Sequence, residues 1–164
     1  MKTEYKENLS ALLNAHKVKK GEISEVRKKN IDTREQFLVS FEQLAKSDIE
    51  PVMRKFAEEI KPYGHYVHVK YAPADRQQQG GTAAHITLSL YMDSEVVKSG
   101  QYPYISFYAH EFSQKISITV STMRPNSGGM TSKVKDDLEL HHLNAEFIEQ
   151  QIMNGISQIL TNKY

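Results

Sequence analysis

The chain has 164 residues, with 21 Lys and Arg against 20 Asp and Glu, and contains neither Cys nor Trp. That length suits one domain with a sizeable core, while zero Cys excludes a disulfide framework, a thiol nucleophile and every thiolate metal site. A net charge of +1 argues against a strongly basic nucleic-acid binder.

No apolar run approaches the roughly 18–20 residues that cross a bilayer. The opening MKTEYKENLS lacks the apolar stretch of a secretory signal, so a cytoplasmic protein with no membrane partner is expected.

Residues 1–30 differ from the rest, with eight basic against four acidic residues, whereas the remainder holds thirteen against sixteen. Tyr5, Leu9, Leu12, Leu13 and His16 recur at helical spacing, which predicts a short amphipathic helix. Gly21 breaks that pattern, and Ile23 and Val26 are too few to anchor a second helix. Residues 1–30 therefore read as a basic, helical N-terminal arm that needs another surface to pack on. That surface is either its own domain or a second copy of the chain; the plainer alternative is a solvated, partly frayed N-terminus. Residues 31–164 read as a single α+β domain.

Asp32 or Thr33 is suited to cap a helix, because a short side-chain oxygen accepts from a first-turn N–H. Glu35 follows in the first turn, where the helix dipole favours negative charge. Phe37, Leu38, Phe41, Leu44, Ala45, Ile49, Val52, Met53, Phe56, Ala57 and Ile60 keep spacings of three and four, which implies one buried stripe over 34–61. Pro51 interrupts it, having no N–H to donate to the Ser47 carbonyl. A kinked helix, or two helices in line recapped at Ser47 or Asp48, satisfies the pattern. Pro62 and Gly64 end it.

Four strand-like runs follow, over 65–71, 82–92, 102–110 and 115–123. Each alternates apolar and polar residues at period two, which marks strands buried on one face only and favours an antiparallel sheet. Val67, Val69 and Tyr71, then Ala84, Ile86, Leu88, Leu90 and Met92, then Ile105, Phe107 and Ala109, then Ile116, Ile118, Val120 and Thr122 are expected to face inward. The last two runs, joined by 111–114, should form a hairpin. Loops are expected over 72–81 and 125–133, the former mobile. The stretch 134–143 fits a short edge strand or an early helical turn. Asn144 then caps a helix striped by Ile148, Ile152, Ile156, Ile159 and Leu160. The expected fold is a four-stranded antiparallel sheet with two amphipathic helices on one face and a helical N-terminal arm.

The outward sheet face carries the functional expectation. It should present Tyr66, His68, Lys70, His85, Thr87, Ser89, Tyr91, Tyr104, Ser106, Tyr108, His110, Ser117, Thr119 and Ser121. Tyrosine offers contact area with a polar tip and favours interfaces, so Tyr66, His68, His85, Tyr91, Tyr104, Tyr108 and His110 are the candidate binding residues. The reading is a non-enzymatic module for a protein partner or a homodimer, without a cofactor.

The alternative rests on register. If the loops are symmetric, His68 lies opposite His85 and His85 opposite His110, and three imidazoles on adjacent strands could hold a zinc for a metal-dependent hydrolase. Lys115 beside His110 opposes a cation there, and no carboxylate on that face is placed as a general base. Weaker patterns resolve to ordinary chemistry. His141 and His142 should diverge as surface histidines, and Asp136, Asp137 and Glu139 form a charge run. Gly128-Gly129 lacks phosphate-loop spacing, and no Ser sits in a nucleophile-elbow setting. The glycine–aromatic signature of a single-strand RNA platform is missing, so nucleic acid is not expected.

Overall fold

The computed structural model describes residues 2–77, 80–92, 101–125 and 128–162. Its first element, α1 (Thr3–Leu44), is one helix, so the expected break at Gly21 and the expected cap at Asp32 or Thr33 do not occur. Thr33 instead donates its hydroxyl to the Lys29 carbonyl, four residues back, at 2.8 Å, a bond that belongs to a helix interior. Met1–Gln36 and Phe37–Tyr164 form two separate units.

From Phe37 the helix is amphipathic in earnest. Phe37, Phe41, Ala45, Ile49 and Met53 are all buried, as the three-and-four spacing predicts. The proline is accommodated without a recap. A π-turn (Ala45–Ile49) leads into α2 (Glu50–Ile60), which has no side-chain cap and carries Pro51 within its first turn, where the missing N–H costs least. A 3₁₀ turn (Lys61–Tyr63) then stops at Gly64, whose φ of +85° is the left-handed backbone that glycine adopts freely.

The sheet has five strands, not four, in the order β1 (Tyr66–Ala72), β2 (Ala84–Tyr91), β3 (Tyr104–His110), β4 (Lys115–Ser121) and β5 (Thr131–Leu138), every neighbour antiparallel. The added strand takes in the end of the expected 125–133 loop and the start of the undecided 134–143 stretch. Only Val134 and Leu138 of β5 turn toward the core. Register shifts interrupt its pairing with β4, and Asp137 sits at φ +52°. The bulged, charged strand closes the sheet with an edge that resists further pairing.

The pleat sorts the side chains as the alternation predicts. Ile86, Leu88, Leu90, Ile105, Phe107, Ile116 and Ile118 have no exposed surface. Cross-strand rows such as Ile86–Phe107–Ile118 lie in one core with Phe41, Ile49, Met53 and the Ile residues of α3 (Ala145–Thr161). Asn144 caps α3 as expected, accepting from the Phe147 N–H at 2.8 Å. Leu160 departs from its expected stripe and is 48% exposed.

Gly155 marks the closest approach of α3 to the sheet. A Cβ there would lie 2.6 Å from both Cγ1 and Cδ1 of fully buried Ile105. Alanine gains about 1 kcal/mol of helix propensity over glycine, but overpacking a core of this kind costs roughly 1–3 kcal/mol. Gly155→Ala should therefore lower the unfolding free energy, by up to about 2 kcal/mol. A denaturation midpoint at or above wild type would show that Ile105 moves aside. Phe41→Ala should cost about 3–5 kcal/mol, whereas Phe56→Ala, on a partly buried side chain, should cost clearly less. Equal losses at the two positions would contradict this packing.

Candidate binding face

The register builds the outward face in rows. At one end Tyr66 lies opposite Tyr91, with ring centroids 5.9 Å apart, and Tyr91 meets Tyr102 edge-on at 4.3 Å. The next row runs His68, Ser89, Tyr104, Ser121, Thr131. Then come Lys70, Thr87, Ser106, Thr119 and Lys133, hydroxyls across three strands with one lysine on each edge strand. A fourth row sets His85 against Tyr108 and Tyr108 against Ser117, the imidazole stacked 5.1 Å from the phenol ring.

These residues are held by one another. Thr87 Oγ1 and Ser106 Oγ share a hydrogen bond of 2.7 Å, Ser106 also donates to the Ile86 carbonyl, and Thr131 donates to Ser121 Oγ at 2.9 Å. His110 Nε2 and Ser117 Oγ are 2.7 Å apart, and His85 Nδ1 lies 2.8 Å from the Ala83 carbonyl oxygen. Ser106, Ser117 and Ser121 are buried although they point outward. The central strands thus form a closed floor of short hydroxyls between taller aromatic residues. Tyr104 and Tyr108 flank Ser106 on β3.

Burial and the neighbouring Tyr108 phenol push the Tyr104 hydroxyl above its ordinary value, and burial with the nearby Glu42 carboxylate does the same for Tyr71. At the sheet's other end the Asp137 N–H donates to Asp136 at 2.9 Å and holds its carboxyl below the usual range, with Lys133 and His110 adding to the effect. The Lys115 ammonium, 2.7 Å from Glu139, does the same to that carboxyl.

The seven candidate residues share the outward face, but the three-histidine row does not form. His68 lies opposite Ser89, His85 opposite Tyr108 and His110 opposite Lys115. Among the described residues no group of three or more metal-ligating side chains is assembled. The β1–β2 ladder explains the first shift, because its register continues through Asp75 and Thr82. The turn therefore lies beyond the middle of 72–81, towards Gly80 and Gly81 at φ +91° and +65°. For the second shift, residues 93–100 lie outside the described residues. His141 and His142 do not diverge either. On a 3₁₀ turn (Leu140–His142) their rings approach to 4.2 Å.

Three features were missed in the sequence. Tyr102 has the same parity as Tyr104 and could have been read as outward. Thr131 and Lys133 belong to the overlooked fifth strand. A groove of about 730 Å³ opens where Leu38, Val39 and Glu42 of α1 face Tyr71, Asp75, Arg76 and His85. Lys46 sits 5.4 Å over the Tyr71 ring beside it, paired with Glu42 at 2.7 Å.

A raised phenol means that the folded protein holds its proton more tightly than the unfolded chain. The stability contributed by Tyr104 is thus complete below pH 10, the ordinary tyrosine value, and is lost as pH rises through the higher folded value. An ultraviolet phenolate titration should show late-titrating tyrosines, and Tyr104→Phe should remove one of them. Tyr108→Phe should bring Tyr104 back toward the ordinary range. An unchanged titration in both variants would contradict the influence of the Tyr108 phenol on Tyr104. No protein-family model, no curated protein and no solved structure matches this chain.

Proposed function

We propose that the protein is a non-enzymatic binding module whose outward sheet face receives a protein partner. The observation that carries this reading is the zoning of that face. Tyr66, Tyr91 and Tyr102 are in contact at one end of it, and a serine–threonine floor lies beside them on the middle strands. Its charges sit at the margins, as Lys70 on β1, Lys133 on β5 and the Lys115–Glu139 pair at one end. A charge-poor aromatic and hydroxyl surface with its charges at the margins is a pattern of protein–protein contact surfaces. Tyrosines already braced by neighbours lose little freedom on binding.

The same geometry favours binding over hydrolysis. Ser117 is the one outward serine bonded to a histidine, yet it is 1% exposed, so its oxygen does not meet a substrate. The Asp136 carboxylate, which lies on the His110 side, is engaged by the Asp137 N–H and by Lys133. A nucleophile needs an open approach and an oriented base, and neither is offered.

Affinity purification of the full chain, with interactors identified and then remade as pure proteins, tests the reading. Tyr91→Ala and His68→Ala should each leave unfolding within about 1 kcal/mol of wild type, as exposed or half-exposed positions do. They should weaken binding of a genuine partner at least about tenfold, as aromatic contact residues do. Tyr108→Ala, which loses the ring contact with His85, should cost roughly 1 kcal/mol. If no purified protein distinguishes wild type from these variants, or if Tyr108→Ala unfolds the chain, the face is not a contact surface.

A further inference from the structure

The unit Met1–Gln36 poses a separate physical problem. Its residues from 2 to 32 are exposed throughout, although all from Thr3 onward are helical. Tyr5, Leu9, Leu12, Leu13, Val18, Ile23 and Val26 are each between 46% and 69% exposed. A helix with nothing packed along it is marginal in water. This one also contains Gly21 and β-branched Val18, Ile23, Val26 and Ile31, which are weaker helix formers than alanine. Packing on a partner is what stabilises such a helix.

The spacing of the apolar residues says which partner. Tyr5, Leu9, Leu12, His16, Lys19, Ile23, Val26, Asn30 and Thr33 follow one another at alternating steps of three and four, so they repeat every seven residues over roughly four heptads. That repeat is the narrow seam of two wound helices, not the broader stripe of a helix lying on a globular core or a membrane. The next position of the series is Phe37, which is buried in the folded domain, so the free seam ends where the domain begins. Two apolar blocks, Tyr5 to Leu12 and Ile23 to Val26, are separated by His16 and Lys19 and followed by Asn30. A polar residue in the seam, asparagine above all, fixes register and selects two chains at a cost in affinity.

Flanking charges select the orientation. The positions immediately after the first seam residue of each heptad are Lys6, Leu13, Lys20, Arg27 and Arg34. An antiparallel pair would set this basic row against its own copy. A parallel pair sets it against the row containing Asn8, Ala15, Glu22 and Lys29, where Glu22 of one chain meets Arg27 of the other. Lys29 then opposes Arg34, so the charges choose direction without adding much net affinity. We infer that residues 5–33 pair with the same segment of a second copy as a parallel, in-register, two-stranded coiled coil of modest affinity. This inference is independent of the sheet face and does not require it to bind anything.

The absence of native cysteine makes the test direct. Sedimentation equilibrium of the full chain should show a reversible monomer–dimer equilibrium. Leu9→Asp combined with Leu12→Asp should weaken it on the order of 100-fold, while Val18→Asp, exposed but off the seam, should leave it nearly unchanged. Because these residues lie outside the folded domain, its cooperative melting should persist in all variants. Under mild oxidation Leu12→Cys and Ile23→Cys should each cross-link to themselves, and Val18→Cys should not. A monomer at every concentration overturns the inference, as does a trimer, or equal disruption by Val18→Asp. Cross-linking only between a Leu12→Cys chain and an Asn30→Cys chain would establish the antiparallel pair and overturn the stated direction. A monomer that instead gains helix on anionic vesicles would assign the segment to lipid.

Discussion

The alternation of the sheet governs everything else in the folded domain. A strand turns successive side chains to opposite faces, so seating Ile86, Phe107 and Ile118 in one fully buried row leaves no choice about the other face. Thr87, Ser106 and Thr119 must then stand together on the far side. A slip of one residue in any ladder would expose the isoleucines and bury the hydroxyls. The layout of the outward face is thus a by-product of core packing.

This explains which parts of the site were legible in the sequence. Parity was enough to assign Tyr66, His68, His85, Tyr91, Tyr104, Tyr108 and His110 to one face, because the apolar partners of each strand voted the same way. Which of them meet was not legible, since alternation is blind to shifts of two or four residues. His68 was displaced from His85 by the polar continuation of the hairpin through Asp75 and Thr82, a pairing with no hydrophobic signature. The tight 111–114 link left no such freedom, and His110 meets Lys115 as expected.

The fifth strand was hidden for a related reason. An edge strand is covered on one side only, and β5 adds register shifts that break its period. Val134 and Leu138, four apart, mimic a helical step, while Lys133, Lys135, Asp136 and Asp137 read as a solvated run. The same charges keep the strand from recruiting a neighbour. α1 illustrates the opposite error. Gly21 looked like a boundary because it interrupts an apolar pattern, but a glycine costs a helix only about 1 kcal/mol. The helix passes through it, leaving Thr33 to bond within the helix instead of capping it.

The burial of Ser106, Ser117 and Ser121 constrains what could dock on the face. Serine is short, and on the middle strands it is overshadowed by Tyr104, Tyr108 and their neighbours, so a partner does not reach these hydroxyls. It would meet the phenol edges and imidazoles above them. A flat apolar partner would leave the tyrosine hydroxyls without acceptors, which is costly once water is excluded. A partner presenting acceptors, such as main-chain carbonyls or carboxylates, between apolar side chains would satisfy both halves of each tyrosine. The raised Tyr104 hydroxyl keeps its proton well into alkaline conditions. On the proposed reading, specificity on this face comes to rest on where a partner places its oxygens.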